Sequence, residues 1–294
     1  MSERFYAYLS ALASSVFYSL NQIFNKRVTL ALGTLPALVI VYAFLTLFDF
    51  LFCYLFGSFY IKDIGVLLEI VFVSLIGAVA ILTLFESFRY LPIGISITLA
   101  NLSPVFLTLF VFLTTGKFPP LEKLLLIALI LFSVFLITFE GKGGKRLAYL
   151  LPLVTAVGWA ITGLEFFRLL NIHKIDPFGV AFYTSLYMFS VFLAVFLAVS
   201  NNKIRLLKKM FRFKKIFLWS LAGGFLTSLG FIFAILSFKW IEVTEAPVIE
   251  AIFTLSTPLS ALFSYLLLKE KLSLRQTVGI AISFLALFMF FLSG

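Results

Sequence analysis

Cysteine, histidine and charged residues are scarce in this sequence, and each scarcity excludes a class of protein. Cys53 is the single cysteine among 294 residues, so no disulfide can form within the chain. His173 is the single histidine, which excludes a histidine-rich metal cluster. Charged residues make up only 12% of the chain, against about 25% in soluble domains. No hydrophilic stretch is long enough to form a soluble domain.

The sequence also lacks the short motifs of several enzyme classes. It contains neither H-E-x-x-H nor G-x-S-x-G, which disfavours a hydrolase embedded in the membrane. It contains no P-loop, so ATP would not drive the protein directly. We therefore expect no enzyme activity, no catalytic residues and no bound metal.

Apolar residues are abundant instead. They make up 62% of the chain, and the mean hydropathy is +1.14. A bilayer core about 30 Å thick needs about 20 apolar residues per helix. Ten such runs are predicted, at 5–25, 34–56, 64–87, 92–115, 121–140, 147–169, 177–200, 216–238, 244–268 and 273–292. Because they are continuous and lack the alternation of barrel strands, we expect an all-α integral membrane protein in the cell membrane.

The formal net charge of +10 indicates lipid rather than nucleic acid as the partner. The basic residues lie in short loops between the apolar runs, and the densest group is 201–215. Beside a membrane, this loop is expected to contact anionic headgroups. The distribution of lysine and arginine depends too heavily on this one loop to orient the termini. The oligomeric state also stays open, and a monomer is compatible with the sequence.

The chain divides into two groups of five apolar runs, at 1–140 and 147–294, joined by a charged, glycine-rich linker at 141–146. Each group contains an aromatic–basic–aromatic triplet followed by a Ser/Thr-Pro pair. Arg89 and Pro104 are 15 positions apart, whereas Lys239 and Pro258 are 19 apart, a difference of about one helical turn. Since five is odd, the second group would enter the membrane with the opposite orientation. This pattern predicts two inverted five-helix repeats with a substrate site between them.

Several segments resemble a known family. "YSLNQIFNK" (18–26) is similar to the first-helix pattern W-G-x-N-x-x-x-x-K of the drug/metabolite transporter superfamily, EamA type. Segments 91–117 and 254–290 resemble its fourth-to-fifth and ninth-to-tenth helix patterns, although Lys117 stands at the usual glutamate position. The resemblance implies a ten-helix carrier of small metabolites, often an exporter of amino acids, without a cofactor. A multidrug or nucleotide-sugar carrier and a non-transporting membrane partner protein stay open as alternatives.

The first apolar run has one polar face. At 100° per residue its serines, amides and tyrosine fall on two adjacent stripes. A membrane helix turns such a face toward protein or a water-filled cavity. Tyr18, Asn21 and Gln22 are therefore predicted to line a central cavity, and contact between helices is the alternative interpretation.

Glu250 is the sharpest candidate among the acidic residues, because it lies inside the ninth run. An intramembrane carboxylate is costly unless it is protonated, paired or hydrated. Glu250 is predicted to bind a substrate ammonium or to carry a coupling proton, with Thr254 one turn further on the same face. A structural hydrogen bond is the alternative. Glu165 is a weaker candidate that could pair with Arg168.

Two further side chains and three prolines complete the predicted site. Asn101 and Trp159 suit an amphipathic organic substrate, with packing as the alternative role. The prolines interrupt helical hydrogen bonds and are candidate hinges of a carrier that rocks between two states, at Pro104, Pro247 and Pro258. The leading hypothesis is a secondary transporter that works by alternating access.

Overall fold

The computed structural model describes residues 3–87, 90–91, 93–138, 146–199, 213–268 and 273–292. Throughout these residues the chain forms helices and no strand, which confirms the all-α prediction. The predicted linker 141–146 lies outside the described residues except for its last position. The lipid-binding prediction for 201–215 also falls almost entirely outside them, since the description resumes at residue 213.

Twelve α-helices are described, six in each predicted half. The first half contains α1 (Glu3–Leu32), α2 (Thr34–Phe56), α3 (Ile64–Ser87), α4 (Ile93–Ala100), α5 (Ser103–Thr115) and α6 (Leu121–Thr138). The second half contains α7 (Leu150–Asn171), α8 (Pro177–Val199), α9 (Lys214–Ser237), α10 (Ala246–Phe253), α11 (Ser256–Leu268) and α12 (Leu274–Leu292). Short 3₁₀ helices at Arg146–Tyr149 and Val243–Glu245 precede α7 and α10.

Five of the described helices, α2, α3, α7, α8 and α9, are long and apolar enough to cross a membrane by length and composition. The 30-residue α1 is longer but less apolar, because it carries the polar face. On α3, large apolar side chains point out of the bundle at helical spacing. Leu68, Phe72 and Val79 are each about half exposed or more, as expected of side chains that face lipid.

The predicted runs 92–115 and 244–268 are not continuous helices, so that part of the prediction was wrong. Each consists of an eight-residue helix and a 13-residue helix, α4 with α5 and α10 with α11. Two residues separate the helices of each pair. The physical reason lies in Pro104 and Pro258, which have no N–H to donate to the carbonyl four residues earlier.

The one-turn difference between the halves also has a structural explanation. Helix α4 begins four positions after Arg89, whereas α10 begins seven positions after Lys239. The 3₁₀ helix Val243–Glu245 occupies the additional length before α10. Three of the four additional residues therefore precede the broken helix of the second half. The fourth arises because Pro258 is the third residue of α11, whereas Pro104 is the second residue of α5.

Packing between the halves is reciprocal. The first helix of each half packs on the third helix of the other, α1 on α9 and α7 on α3. The second helices pack on each other, α2 on α8, and so do the last, α6 on α12. At one end of the bundle, Arg4 at the start of α1 bonds to Glu242, and Asn171 at the end of α7 donates to the Phe238 carbonyl. The start of α1 and the end of α7 thus lie beside the same segment after α9.

Candidate functional site

The two interrupted helices meet where each is broken. Asn101 lies between α4 and α5, and its side-chain amide donates to the Thr257 hydroxyl at the start of α11, at 3.0 Å. Both residues are buried. This hydrogen bond joins a break in the first half to a break in the second, and it brings the predicted residue Asn101 into the same place as the start of α11.

Glu250 lies at this junction. It is only 7% exposed, and the Ser103 hydroxyl at the start of α5 donates to its Oε2 at 3.0 Å. Gly163 of α7 lies against the other carboxyl oxygen, since a Cβ at Gly163 would come within 2.8 Å of Glu250 Oε1. The carboxyl group is thus turned into the bundle and is held between residues of both halves.

The two predicted neighbours of Glu250 differ in what they contact. Thr254 is buried, but its hydroxyl donates to the Ala251 carbonyl at 2.7 Å and so completes the end of α10. Trp159 is partly buried on α7, one turn before Gly163. Thr254 therefore supports the break, whereas Trp159 lies on the helix that packs against the carboxyl.

The polar face of α1 is largely buried against the second half. Ser15 donates to the Ile252 carbonyl of α10 at 2.8 Å. Asn21 is 5% exposed, faces Gly223 of α9, and has no hydrogen-bond partner for its buried Oδ1. The Tyr18 ring lies against Gly230 of α9. Asn21, like Glu250, is turned into the protein rather than outward.

Gln22 is placed differently from the other predicted residues of α1. Its side chain is exposed, and its Oε1 accepts a hydrogen bond from Ser260 of α11 at 2.9 Å. Its contact is therefore with the longer segment of the broken helix rather than with the Glu250 carboxyl.

The three candidate hinge prolines all lie in the first turn of a helix. Pro104 is the second residue of α5, Pro247 is the second residue of α10 and Pro258 is the third residue of α11. They lie at the starts of helical segments and not at kinks within continuous helices. Any hinge motion would therefore act at the breaks that these prolines follow.

Sequence reasoning missed a second buried carboxyl group, Asp49 of α2. Asp49 is fully buried and accepts a hydrogen bond from Ser228 of α9, and Ser185 of α8 lies near it. Tyr18 lies within electrostatic range of both Asp49 and Glu250. The signal was present, because Asp49 is the one acidic residue in the apolar run 34–56. An aspartate in the middle of such a run has no nearby aqueous surface.

Sequence reasoning also missed a buried ion pair between Glu245 and Lys123. Lys123 of α6 is 3% exposed and pairs with Glu245 at 2.6 Å, and its ammonium also donates to the Tyr8 hydroxyl at 3.0 Å. The two charges are 122 positions apart in sequence, so no local pattern indicates their contact. The pairing of Glu165 with Arg168 is observed, at 3.0 Å.

Within the described part of the chain, no group of three or more His, Cys, Asp or Glu side chains is arranged to hold a metal ion. The polar groups at the junction of the broken helices are a carboxyl, an amide and hydroxyls. Such groups can bind a polar organic molecule through hydrogen bonds and one ionic contact.

A family comparison identifies the chain. The model of the EamA-like transporter family matches residues 146–292, half of the sequence. The chain belongs to the EamA-like transporter family. This family is part of the drug/metabolite transporter superfamily. Together with the apolar helices, membership makes the chain an integral membrane protein that transports small molecules.

The fold of this family member is also found among solved structures. One crystal structure superimposes with a TM-score of 0.78 and 14% sequence identity, covering 96% of this chain and 94% of the other. At that identity the likeness concerns the fold alone. No curated protein matches the sequence.

Proposed function

We propose that this EamA family member is a secondary carrier that exports small organic metabolites, amino acids or related compounds, across the cell membrane. Substrate binds in a central cavity between two five-helix halves, which rock to open it to each side in turn. The observation that carries the proposal is the buried Glu250 carboxyl, held where the broken helices of the two halves meet. Burying an acidic side chain in the membrane costs several kcal/mol, and such residues are typical of substrate or ion sites.

Three observations support an inverted repeat, 1–140 and 147–294. The broken helices of both halves have the same segment lengths, eight and 13 residues. The packing of α1 on α9 is matched by that of α7 on α3. The start of α1 and the end of α7 lie beside the same segment, as two halves of opposite orientation require. Ten crossings result if each broken helix counts as one.

The chemistry of the junction suits a zwitterion. Glu250 offers a negative charge to a substrate ammonium, and Asn101 and Thr257 offer an amide and a hydroxyl beside it. Helices α5 and α11 both begin at this place, and the positive end of a helix dipole favours a carboxylate. Tyr18 and Trp159 supply aromatic surface on the flanking helices α1 and α7. An amino acid presents the three matching features: an ammonium, a carboxylate and an apolar side chain.

The hydrogen bonds at the junction connect the halves to each other. The bonds from Asn101 to Thr257 and from Ser103 to Glu250 each join a residue of the first half to one of the second. Rocking of the halves must exchange these bonds for bonds to substrate or water. The breaks before Pro104 and Pro258 and the turn before Pro247 give the short segments room to move.

Flux measurement tests the proposal. Purified protein in liposomes is loaded with radiolabelled amino acids, a quaternary ammonium dye or a nucleotide sugar in separate experiments, and efflux is compared with protein-free vesicles. We expect efflux above the blank for at least one amino acid. Efflux of the dye or the nucleotide sugar alone would assign the chain to the corresponding alternative class. If folded protein gives no efflux above the blank with any probe, the result would favour a membrane partner protein that does not transport.

A further inference from the structure

Asp49 is a second intramembrane carboxyl group that substrate binding at Glu250 leaves unused. It lies in the middle of α2, with none of its surface exposed. Ser228 of α9 donates a hydrogen bond to Oδ1, whereas Ser185 of α8 lies near the carboxyl but donates its own proton to the Phe182 carbonyl. The other carboxyl oxygen, Oδ2, is buried and has no hydrogen-bond partner. Three helices thus enclose an acid whose second oxygen points at no donor.

The neighbours of Asp49 supply no compensating charge. Among the described residues, the titratable groups within electrostatic range are Tyr18 of α1 and Tyr42 and Cys53 of α2, all neutral when protonated. The groups of α8 and α9 near the carboxyl are the hydroxyls of Ser185 and Ser228. No lysine or arginine of the described chain forms an ion pair with it. An ionised carboxylate here would be a buried charge without a counter-charge, which is strongly unfavourable.

Such a carboxyl must be neutralised by a bound cation, and the surroundings fit a proton better than a metal ion. Hard cations such as Ca²⁺ and Mg²⁺ are held by about six oxygen ligands. The described groups at Asp49 provide the carboxyl and two serine hydroxyls, and Ser228 already donates its proton to that carboxyl. Thr46, one turn earlier on α2, is buried with an unpartnered hydroxyl. A proton on Oδ2 needs no further ligands.

We propose that Asp49 is the proton-binding site of this carrier, and that Glu250 is left to bind substrate. The inference rests on the proposed transport function. The carboxylate takes one proton from one side of the membrane to become a neutral acid, and it returns the proton to the other side when the halves rock. Tyr18 of α1 lies within electrostatic range of both carboxyls, so α1 is a neighbour of each of them. Substrate leaves in one direction as the proton moves in the other.

Infrared spectroscopy of the purified protein without substrate tests proton binding directly. The carbonyl stretch of protonated carboxylic acids is followed through a pH titration in wild type, Asp49→Asn and Asp63→Asn. Asp63 is the matched control, because it is an exposed aspartate at the start of α3. We expect Asp49→Asn to lose one titrating component of the band and Asp63→Asn to retain it. Retention of every component in Asp49→Asn would overturn the proposal.

A second measurement covers the case in which Asp49→Asn does not fold, as judged by size-exclusion chromatography. A hydrophobic carbodiimide modifies protonated carboxyl groups in apolar surroundings, and peptide mass spectrometry locates the adducts in wild-type protein. We expect an adduct on Asp49 that diminishes as the pH is raised. An Asp49 that stays unmodified at every pH, in protein that is modified at Glu250, would overturn the proposal.

The coupling role is tested by efflux of a labelled amino-acid mixture from liposomes with an imposed pH gradient. We expect the gradient to accelerate wild-type efflux severalfold and to leave Asp49→Asn efflux unchanged. Gradient-sensitive efflux in Asp49→Asn, or wild-type efflux that requires Na⁺ instead, would overturn the assignment. Wild type that transports none of the probes would contradict the proposed function, and the infrared result would still decide whether Asp49 binds a proton.

Discussion

The two broken helices share one geometry and differ in chemistry. Each has an eight-residue segment, a two-residue break and a 13-residue segment. The fifth residue of the first segment is Ile97 in α4 and Glu250 in α10. The first half contributes Ser103 and Asn101 as donors, and the second contributes the acid and Thr257 as acceptors. Two broken helices with the same segment lengths therefore carry different chemistry.

The extra turn of the second half shows a second difference. It brings Glu245 against Lys123 and Tyr8, so that the segment leading into α10 is fixed to α6 and α1 by a buried ion pair. Arg4 also forms ion pairs with Glu245 and with the exposed Glu242. The second broken helix is thus anchored at its beginning by charges, and at its break by Ser103 and Asn101.

Breaking the buried ion pair between Lys123 and Glu245 has the largest expected effect, and the effect is on stability. Lys123→Met leaves Glu245 as a buried charge without its closest partner, and breaking a buried ion pair on one side costs about 3–5 kcal/mol of unfolding free energy. Lys62→Met, in an exposed loop position, should change stability by less than about 0.5 kcal/mol. Unfolding in detergent, followed by circular dichroism, compares the two. Equal stabilities would mean that the ion pair does not hold the second broken helix.

Neutralising the acid of the second half comes next. Glu250→Gln keeps the shape but removes the charge that binds the ammonium, and a charge-assisted hydrogen bond contributes about 1.5–3 kcal/mol, or roughly 10- to 150-fold in efflux rate. Glu242→Gln is the matched control, because its side chain is 73% exposed and its ion pair lies at the surface. If the two variants transport equally well, the asymmetry between the broken helices has no functional meaning.

Substitution of Gly163 is expected to move the Glu250 carboxyl without removing its charge. The Cβ of Gly163→Ala would come within 2.8 Å of Glu250 Oε1, so the carboxyl has to shift. We expect substrate affinity to fall about tenfold, equivalent to about 1.4 kcal/mol. Gly77→Ala, whose Cβ would make ordinary contacts at 3.4 Å with Met188, should bind normally. Substrate-dependent thermal stabilisation measures both affinities.

The hydrogen bond between the breaks has the smallest expected effect. Thr257→Val removes the acceptor of the Asn101 amide at nearly constant volume, which costs about 1 kcal/mol of unfolding free energy. A double-mutant cycle with Asn101→Ala separates this bond from other contacts of the two residues. A coupling free energy of zero would show that the hydrogen bond between Asn101 and Thr257 does not contribute to stability.

Local patterns predicted much of this architecture. The bounds of α2 and α3 coincide with the predicted runs 34–56 and 64–87. The polar face of α1 indicated correctly that Asn21 is turned inward, because an amide is excluded from lipid. The breaks were not predicted, although Pro104 and Pro258 marked them. Whether a proline kinks or ends a helix depends on what fills the gap, and here the filler is the contact between Asn101 and Thr257 from opposite halves.

Long-range contacts account for what sequence reasoning missed. Asp49 accepts a hydrogen bond from a serine of α9, and Lys123 pairs with a glutamate 122 positions away. Nothing near either residue in sequence indicates these partners. The family resemblance placed the whole chain in one class but carried no information on Asp49, because the segments that resemble the family, 18–26, 91–117 and 254–290, do not include α2.

The most direct test of the central claim is substrate protection of Glu250. Wild-type protein is treated with a hydrophobic carbodiimide at a pH low enough for Glu250 to react in the absence of substrate. The reaction is repeated with a transported amino acid present, and adducts are located by peptide mass spectrometry. If Glu250 binds the substrate ammonium, saturating substrate should reduce modification of Glu250 by about tenfold or more, since tight occupancy excludes the reagent. Modification of Glu250 that is the same with and without substrate would contradict a binding site at the meeting point of the two broken helices.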